Sequence, residues 1–147
     1  MAYRGKYKVK NLAKYVGDPS KVRFLSLWEY AVCKHFDNSP EVLRWNSEDV
    51  HVRYANAAEN GKMRTYMVDF YVEMTNGKKY LIEVKPFKQT QAPKQRKKIT
   101  KGYLAECYTY AMNLSKWDAA RKLAELNGIE FLLWTENELH RLGIKTL

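Results

Sequence analysis

The chain has 147 residues, 46% of them apolar and 14% aromatic, which fits a single domain spanning 1–147 with a real core and excludes a disordered tail. No run of 18 apolar residues exists, so no membrane-spanning helix is expected, and residues 1–17 lack an apolar core of signal-peptide length, which points to a cytoplasmic protein. The net charge of +10 is unevenly held. Arg4, Lys6, Lys8, Lys10 and Lys14 form an acid-free basic segment at 1–17, and Lys85, Lys88, Lys94, Arg96, Lys97, Lys98 and Lys101 form another at 85–101. Together they carry +12 and leave the rest of the chain at −2. Two basic patches on a nearly neutral body suit a polyanion such as nucleic acid; a solvated basic face is the plainer alternative.

In chain order, Asp18-Pro19 reads as a helix start, since Asp caps and Pro fits the first turn. Val22, Leu25, Glu29, Val32 and Phe36 follow at spacings of three and four, and Asp37 to Pro40 ends that helix. Val42 to Trp45 and Val50 to Tyr54 read as short strands, and Ala55 to Lys62 as a loop. Arg64 to Met74 alternates, with Tyr66, Val68, Phe70, Val72 and Met74 on one side. Lys79 to Lys85 is a further strand, and Asn76-Gly77 marks a hairpin between the two. A basic loop from Pro86 to about Lys98 leads to a helix over Ile99 to Asn113, with Leu104, Cys107, Tyr108 and Ala111 on one face. Ser115 reads as the cap of another helix ending at Asn127-Gly128. Ile129 to Trp134 is a buried strand, and Thr135 with Glu138 has capping-box spacing for a last helix. The order predicts an α/β domain with a mixed sheet covered by helices. Cys33 and Cys107 have no metal-ligand spacing and fall in helices, so both read as buried free thiols.

Asp69, Glu83 and Glu29 each interrupt an apolar pattern, and buried carboxylates are costly unless paired or bound to a metal. The hairpin register decides whether the first two meet. A two-residue loop pairs Thr75 with Lys78 and sends Asp69 and Glu83 to opposite faces. A three-residue loop pairs Met74 with Lys78, puts Gly77 in the left-handed position and sets Asp69 opposite Glu83, with Lys85 on the same face. That register leaves Val68, Phe70, Val72, Ile82 and Val84 as a uniformly apolar side, so it is the expected one. Two adjacent carboxylates suit a hard divalent cation, and a lysine two residues on suits phosphodiester hydrolysis. The plainer reading is a surface acidic pair with Lys85 as its salt-bridge partner.

Val68-Asp69 followed 14 residues later by Glu83-Val84-Lys85, with Glu29 on a preceding helix, resembles the PD-(D/E)xK nuclease superfamily. The proline usual before the Asp is Val68 here, and proline at that place is not a ligand. The likeness extends along the chain in Met1-Ala2-Tyr3, Gly5-Lys6, Lys10-Asn11, Lys14-Tyr15, Gly17-Asp18-Pro19 and Trp28-Glu29. It continues through Ile82 to Pro86, Gln89-Thr90-Gln91, Tyr108-Thr109-Tyr110, Lys116-Trp117, Gly128 and Thr135-Glu136. These resemble the head completion nucleases of T-even-type tailed phages.

The resemblance implies a restriction-endonuclease-like core with the hairpin central. It implies Mg²⁺-dependent exo- and endonucleolytic cleavage of DNA, with Mn²⁺ as a substitute. Asp69, Glu83, the Val84 carbonyl and Glu29 would hold the metal, and Lys85 would position the nucleophile. Lys88, Lys94, Arg96, Lys97, Lys98 and Lys101 would line the DNA path. Gln89 and Gln91 have two equal readings, contact with the phosphate site or plain loop polarity. It further implies phage head and neck proteins as partners, the bacterial host cytoplasm during virion assembly as the location, and retention in the virion as a second one. Nothing resembles a groove-reading module, so no base-sequence specificity is expected. Tyr103, Tyr108 and Tyr110 read as helix packing, and His35, His51 and His140 as ordinary histidines. A non-catalytic DNA-binding assembly factor, and a junction-resolvase or transposon-end nuclease of the same fold, are the alternatives.

Overall fold

A computed structural model describes residues 4–146; Met1–Tyr3, part of the basic segment, and Leu147 lie outside the described residues. The chain opens with a two-residue strand β1 (Gly5–Lys6) paired antiparallel with β2 (Arg23–Phe24). Helix α1 (Leu27–Asn38), strands β3 (Val42–Asn56), β4 (Lys62–Met74) and β5 (Lys79–Val84), helix α2 (Lys101–Leu126), strand β6 (Glu130–Trp134) and helix α3 (Glu136–Arg141) follow. The sheet runs β3-β4-β5-β6, antiparallel except for the parallel β5–β6 pair, whose crossover is α2. The β4–β5 hairpin is thus central. Successive residues of β5 point to opposite faces: Ile82 packs with Val32, Cys33 and Phe36 of α1 and Leu139 of α3, and Leu81 packs with Trp117, Ala120 and Ala124 of α2. This is the expected α/β architecture, with helices on both faces of a mixed sheet.

Local structure departs from expectation in several places. The first helix begins at Leu27, not at Pro19. Asp18 does cap, accepting from the Ser20 amide at 3.0 Å, but only a single 3-10 turn over Pro19–Lys21. The chain then extends, and Val22 reaches the core from extended backbone while Leu25 is exposed. The true cap is Ser26, whose hydroxyl accepts from the Glu29 amide at 3.2 Å. The two short strands after α1 are one, β3, because a bulge between Ser47 and Val50 absorbs the polar break; there Glu48 takes φ +52. The supposed loop is short: Ala55 and Asn56 belong to β3, and Ala57–Glu59 forms a 3-10 turn.

Ser115 does not start a helix either. Its hydroxyl turns back to the Ala111 carbonyl at 3.0 Å and accepts from the Ala57 amide at 3.1 Å, so α2 runs unbroken for 26 residues. Its buried residues are Asn113, Trp117, Ala120 and Ala124. Leu104 and Tyr108, expected to face the core, are 57% and 44% exposed, because the first half of α2 extends past the sheet. None of the described helices is long and apolar enough to cross a membrane.

The N-terminal basic segment is tied down by Asp37 and by one of its own charges, Lys14. Asp37, fully buried near the end of α1, accepts from the Tyr7 hydroxyl at 2.7 Å and from the Lys10 and Asn11 amides at 2.8 and 3.0 Å. The Lys14 ammonium donates to the carbonyls of Asp37 and Ser39, satisfying the end of the helix. Lys14 is therefore a helix cap, and its charge is not free for a polyanion.

Candidate active site

The central hairpin closes through a three-residue turn. The Met74 amide donates to the Lys78 carbonyl at 2.8 Å, the Gly77 amide donates to Met74 at 3.0 Å, and Gly77 has φ +88. The left-handed backbone there explains the glycine. The register runs from Glu73 opposite Lys79 to Phe70 opposite Ile82. One step further come Asp69 and Glu83, where side chains replace the backbone ladder. The Asp69 amide donates to Glu83 Oε1 at 3.3 Å, and the Val84 amide donates to Asp69 Oδ2 at 2.8 Å. Each carboxylate thus satisfies an amide that the parting strands leave unpaired. The Lys85 amide meanwhile donates to the Trp134 carbonyl at 2.9 Å, carrying the β5 pairing on to β6. The apolar side of the hairpin is less uniform than expected. Phe70, Val72, Ile82 and Val84 join the α1-side core, but Val68 joins Tyr66 and Tyr54 against α2. The β3–β4 arm outreaches β5, and the bulge adds to its twist, so its apolar side changes partner along its length.

Glu83 is only 6% exposed. Burial raises the Asp69 carboxyl well above its usual range, and the Glu83 charge raises it further; the Val84 amide and Lys85 only partly oppose this. Burial also raises Glu83, against Lys85, the Asp69 amide and Lys116. Glu29 is pushed up to about 7, first by burial and then by the Asp69 charge. Its carboxylate accepts from the Ser26 hydroxyl at 3.1 Å. The α1 cap therefore also aims Glu29 at the hairpin.

Two groups at this site escaped sequence reasoning. Glu48, turned by the bulge, pairs with Arg23 at 3.3 Å and acts on both Glu29 and Asp69. Lys116 of α2 acts on Glu83. Glu48 reads in sequence as part of a polar break between strands, and Lys116 carries part of the family resemblance with no role attached to it. Among the described residues no three Asp, Glu, His or Cys side chains already form a metal cage, so Glu29 stands near the pair without completing a shell. The donor set nonetheless fits a hard cation. It offers carboxylate oxygens, crowded and partly desolvated, whose raised pKa values a divalent charge would reverse.

An open cleft of about 930 Å³ lies between the exposed half of α2 and the basic loop that follows Lys85, with Phe87 at its start. Lys88, Gln89, Gln91, Lys94 and Arg96 line it, and Asn113 closes the end nearest the sheet. Lys97, Lys98 and Lys101 are exposed but do not line it. Arg96 is engaged by Glu106 at 3.1 Å and lies over the Tyr103 ring at 5.4 Å. Two of the three helix tyrosines depart from the packing expected: Tyr110 lines the cleft and Tyr108 is exposed, while Tyr103 is part-buried against Arg96. Cys33 and Cys107 are both free thiols, the first buried and the second partly so.

Residues 39–136 match the family model described as TnsA-like endonuclease N terminal, a span that includes Asp69, Glu83, Lys85 and Lys116. The chain is 41% identical to the head completion nuclease of Enterobacteria phage T4 over 149 aligned positions, covering 99% of each protein, Glu29 included.

Proposed function

Because the chain belongs to the TnsA-like endonuclease family, within the PD-(D/E)xK nucleases, and is related end to end to a phage head completion nuclease, we propose that it is a metal-dependent DNA nuclease of head completion. The observation that carries this reading is the Asp69–Glu83 pair, one carboxylate part-buried and one buried, each accepting an amide across the hairpin, with Lys85 just past the end of β5. Asp69 and Glu83 would hold Mg²⁺, or Mn²⁺ in its place, with the Val84 carbonyl as a further oxygen donor and Glu29 linked through the surrounding solvent. The bound cation supplies Lewis acidity to the phosphate and lowers the pKa of water. Lys85 orients the attacking water and offsets charge growing on the phosphate oxygens. Glu29, once the cation offsets the burial and the Asp69 charge that raise its carboxyl, would accept a hydrogen bond from that water. The basic cleft holds the DNA backbone without reading sequence, through phosphate contacts that weaken with salt. The partners are DNA and proteins of the phage head and neck, met in the host cell during virion assembly.

The test is cleavage of plasmid and linear DNA by the wild type and Lys85→Ala, with Mg²⁺, Mn²⁺ or EDTA, alongside DNA binding. Cutting that needs metal and falls at least ~100-fold in Lys85→Ala, with binding kept, supports the reading. Binding without cutting under any metal condition replaces it with a non-catalytic assembly factor. The form of DNA preferred separates head completion from junction or transposon-end cleavage.

A further inference from the structure

The chemistry proposed above leaves Lys116 without a task. Its ammonium lies 5.5 Å from the centre of the Tyr66 ring and 6.0 Å from that of Tyr54. Both rings are nearly buried on the β3–β4 arm and meet edge to face at 5.7 Å. They hold the lysine stem and favour its cation. None of the ion pairs or side-chain hydrogen bonds among the described residues uses this ammonium, whereas Lys122, further along α2, pairs with Asp118 at 3.0 Å. A half-buried ammonium with three N–H donors and no acceptor in contact is unusual, since buried charges are normally paired.

Its surroundings are the carboxylate pair. Among charged groups Glu83 acts on it most strongly, followed by Lys85 and Asp69, and it helps hold Glu83 down in return. The Tyr66 hydroxyl, buried and without a partner, feels the same two carboxylates. Asn113, three residues earlier and so on the same side of α2, lines the inner end of the basic cleft. Lys116 therefore sits one turn of α2 beyond a residue that lines the cleft and within electrostatic reach of Asp69 and Glu83.

We propose that Lys116 binds an oxygen of a phosphodiester in the DNA strand seated at the Asp69–Glu83 pair, with Tyr54 and Tyr66 fixing its position. The inference rests on the nuclease reading for the identity of the strand. It goes beyond that reading by placing a phosphate contact on α2, outside the basic loop.

The experiment uses the full chain with Lys116→Met, which keeps an apolar stem over the two rings, and Lys116→Arg. Binding of a short DNA duplex is followed by fluorescence anisotropy with Ca²⁺ over a salt series, cleavage kinetics with Mg²⁺, and folding by thermal melting. Lys116→Met is expected to weaken binding by about 5–10-fold, raise KM similarly and reduce the salt slope by about one, while Lys116→Arg stays within about 3-fold of wild type. A folded Met variant with the wild-type slope and KM overturns the inference. So does an Arg variant that binds no better than Met. Should Met melt early, the Arg variant alone decides, since a packing role would not be rescued with the slope intact. If the wild type binds DNA but cuts under no metal condition, the nuclease reading falls, and the salt slope still decides whether Lys116 meets a phosphate.

Discussion

Asp69→Asn should make the protein more stable while removing its activity. The Val84 amide donates to Asp69 Oδ2 at 2.8 Å, and an asparagine oxygen accepts the same bond. What disappears is a negative charge beside Glu83 in a site that desolvates both. The carboxyl's pKa is raised on folding, so ionising it destabilises the fold. That loss is absent below the unfolded pKa of about 3.9, grows as pH rises from there to the folded value, and is constant above it. Removing one such charge while keeping its hydrogen bond is expected to gain about 2 kcal/mol without metal. In a chain of 147 residues this corresponds to roughly 4–8 °C in Tm. Melting curves in EDTA at about pH 8 and about pH 4 measure it: the variant melts higher at the upper pH, and the curves converge at the lower. Added Mg²⁺ should then raise Tm of the wild type and leave the variant where it is. A variant that melts at or below the wild type at the upper pH, in EDTA, refutes the argument that these carboxylates are frustrated without metal.

Asp37→Ala should cost about 3 kcal/mol and free residues 7–14 to limited proteolysis, since it strands the Tyr7 hydroxyl and the Lys10 and Asn11 amides. Burial acts to raise the Asp37 carboxyl, but the bonds from Lys10, Tyr7 and Asn11 outweigh it and hold its pKa low. Its stabilisation is therefore present above the unfolded pKa and lost as pH falls through the folded one, so the deficit of the variant narrows in strong acid. Gly77→Ala meets no atom within 4 Å and pays only for a backbone of φ +88, about 1 kcal/mol by denaturant titration. Ser26→Ala should lose about 1 kcal/mol as a cap, read by thermal melting in EDTA, and it also removes the hydroxyl bond that lowers the Glu29 carboxyl.

The pattern of residues along the hairpin was sufficient to place Asp69 against Glu83. Side chains alternate with period two, so a single choice of turn length decides every face. Only the three-residue turn keeps Phe70, Val72 and Ile82 together, and the chain adopts it. The capping box at Thr135 and Glu138 was legible for a similar reason, since both partners lie within one turn.

A local start signal did not decide where the first helix begins. Asp18-Pro19 reads as its start and Asp18 does cap, but only a single 3-10 turn; the helix follows Ser26, where Val32, Cys33 and Phe36 pack on the sheet. Ser115 looks like a cap until its hydroxyl finds Ala111 and the Ala57 amide, a residue 58 positions away. The strength of the basic segments was overstated in sequence for the same reason: Lys14 is spent on the end of α1 and Arg96 on Glu106.

The sequence by itself determined the sheet's central hairpin, its register and the acidic pair with Lys85, because these follow from local period and turn chemistry. Tertiary structure alone decided that a bulge turns Glu48 towards Glu29 and Asp69, and that α2 runs on without a break to lay Lys116 over Tyr54 and Tyr66 beside Glu83. Those placements depend on the twist of one arm of the sheet and the path of one helix across it, and no spacing within a single segment encodes either.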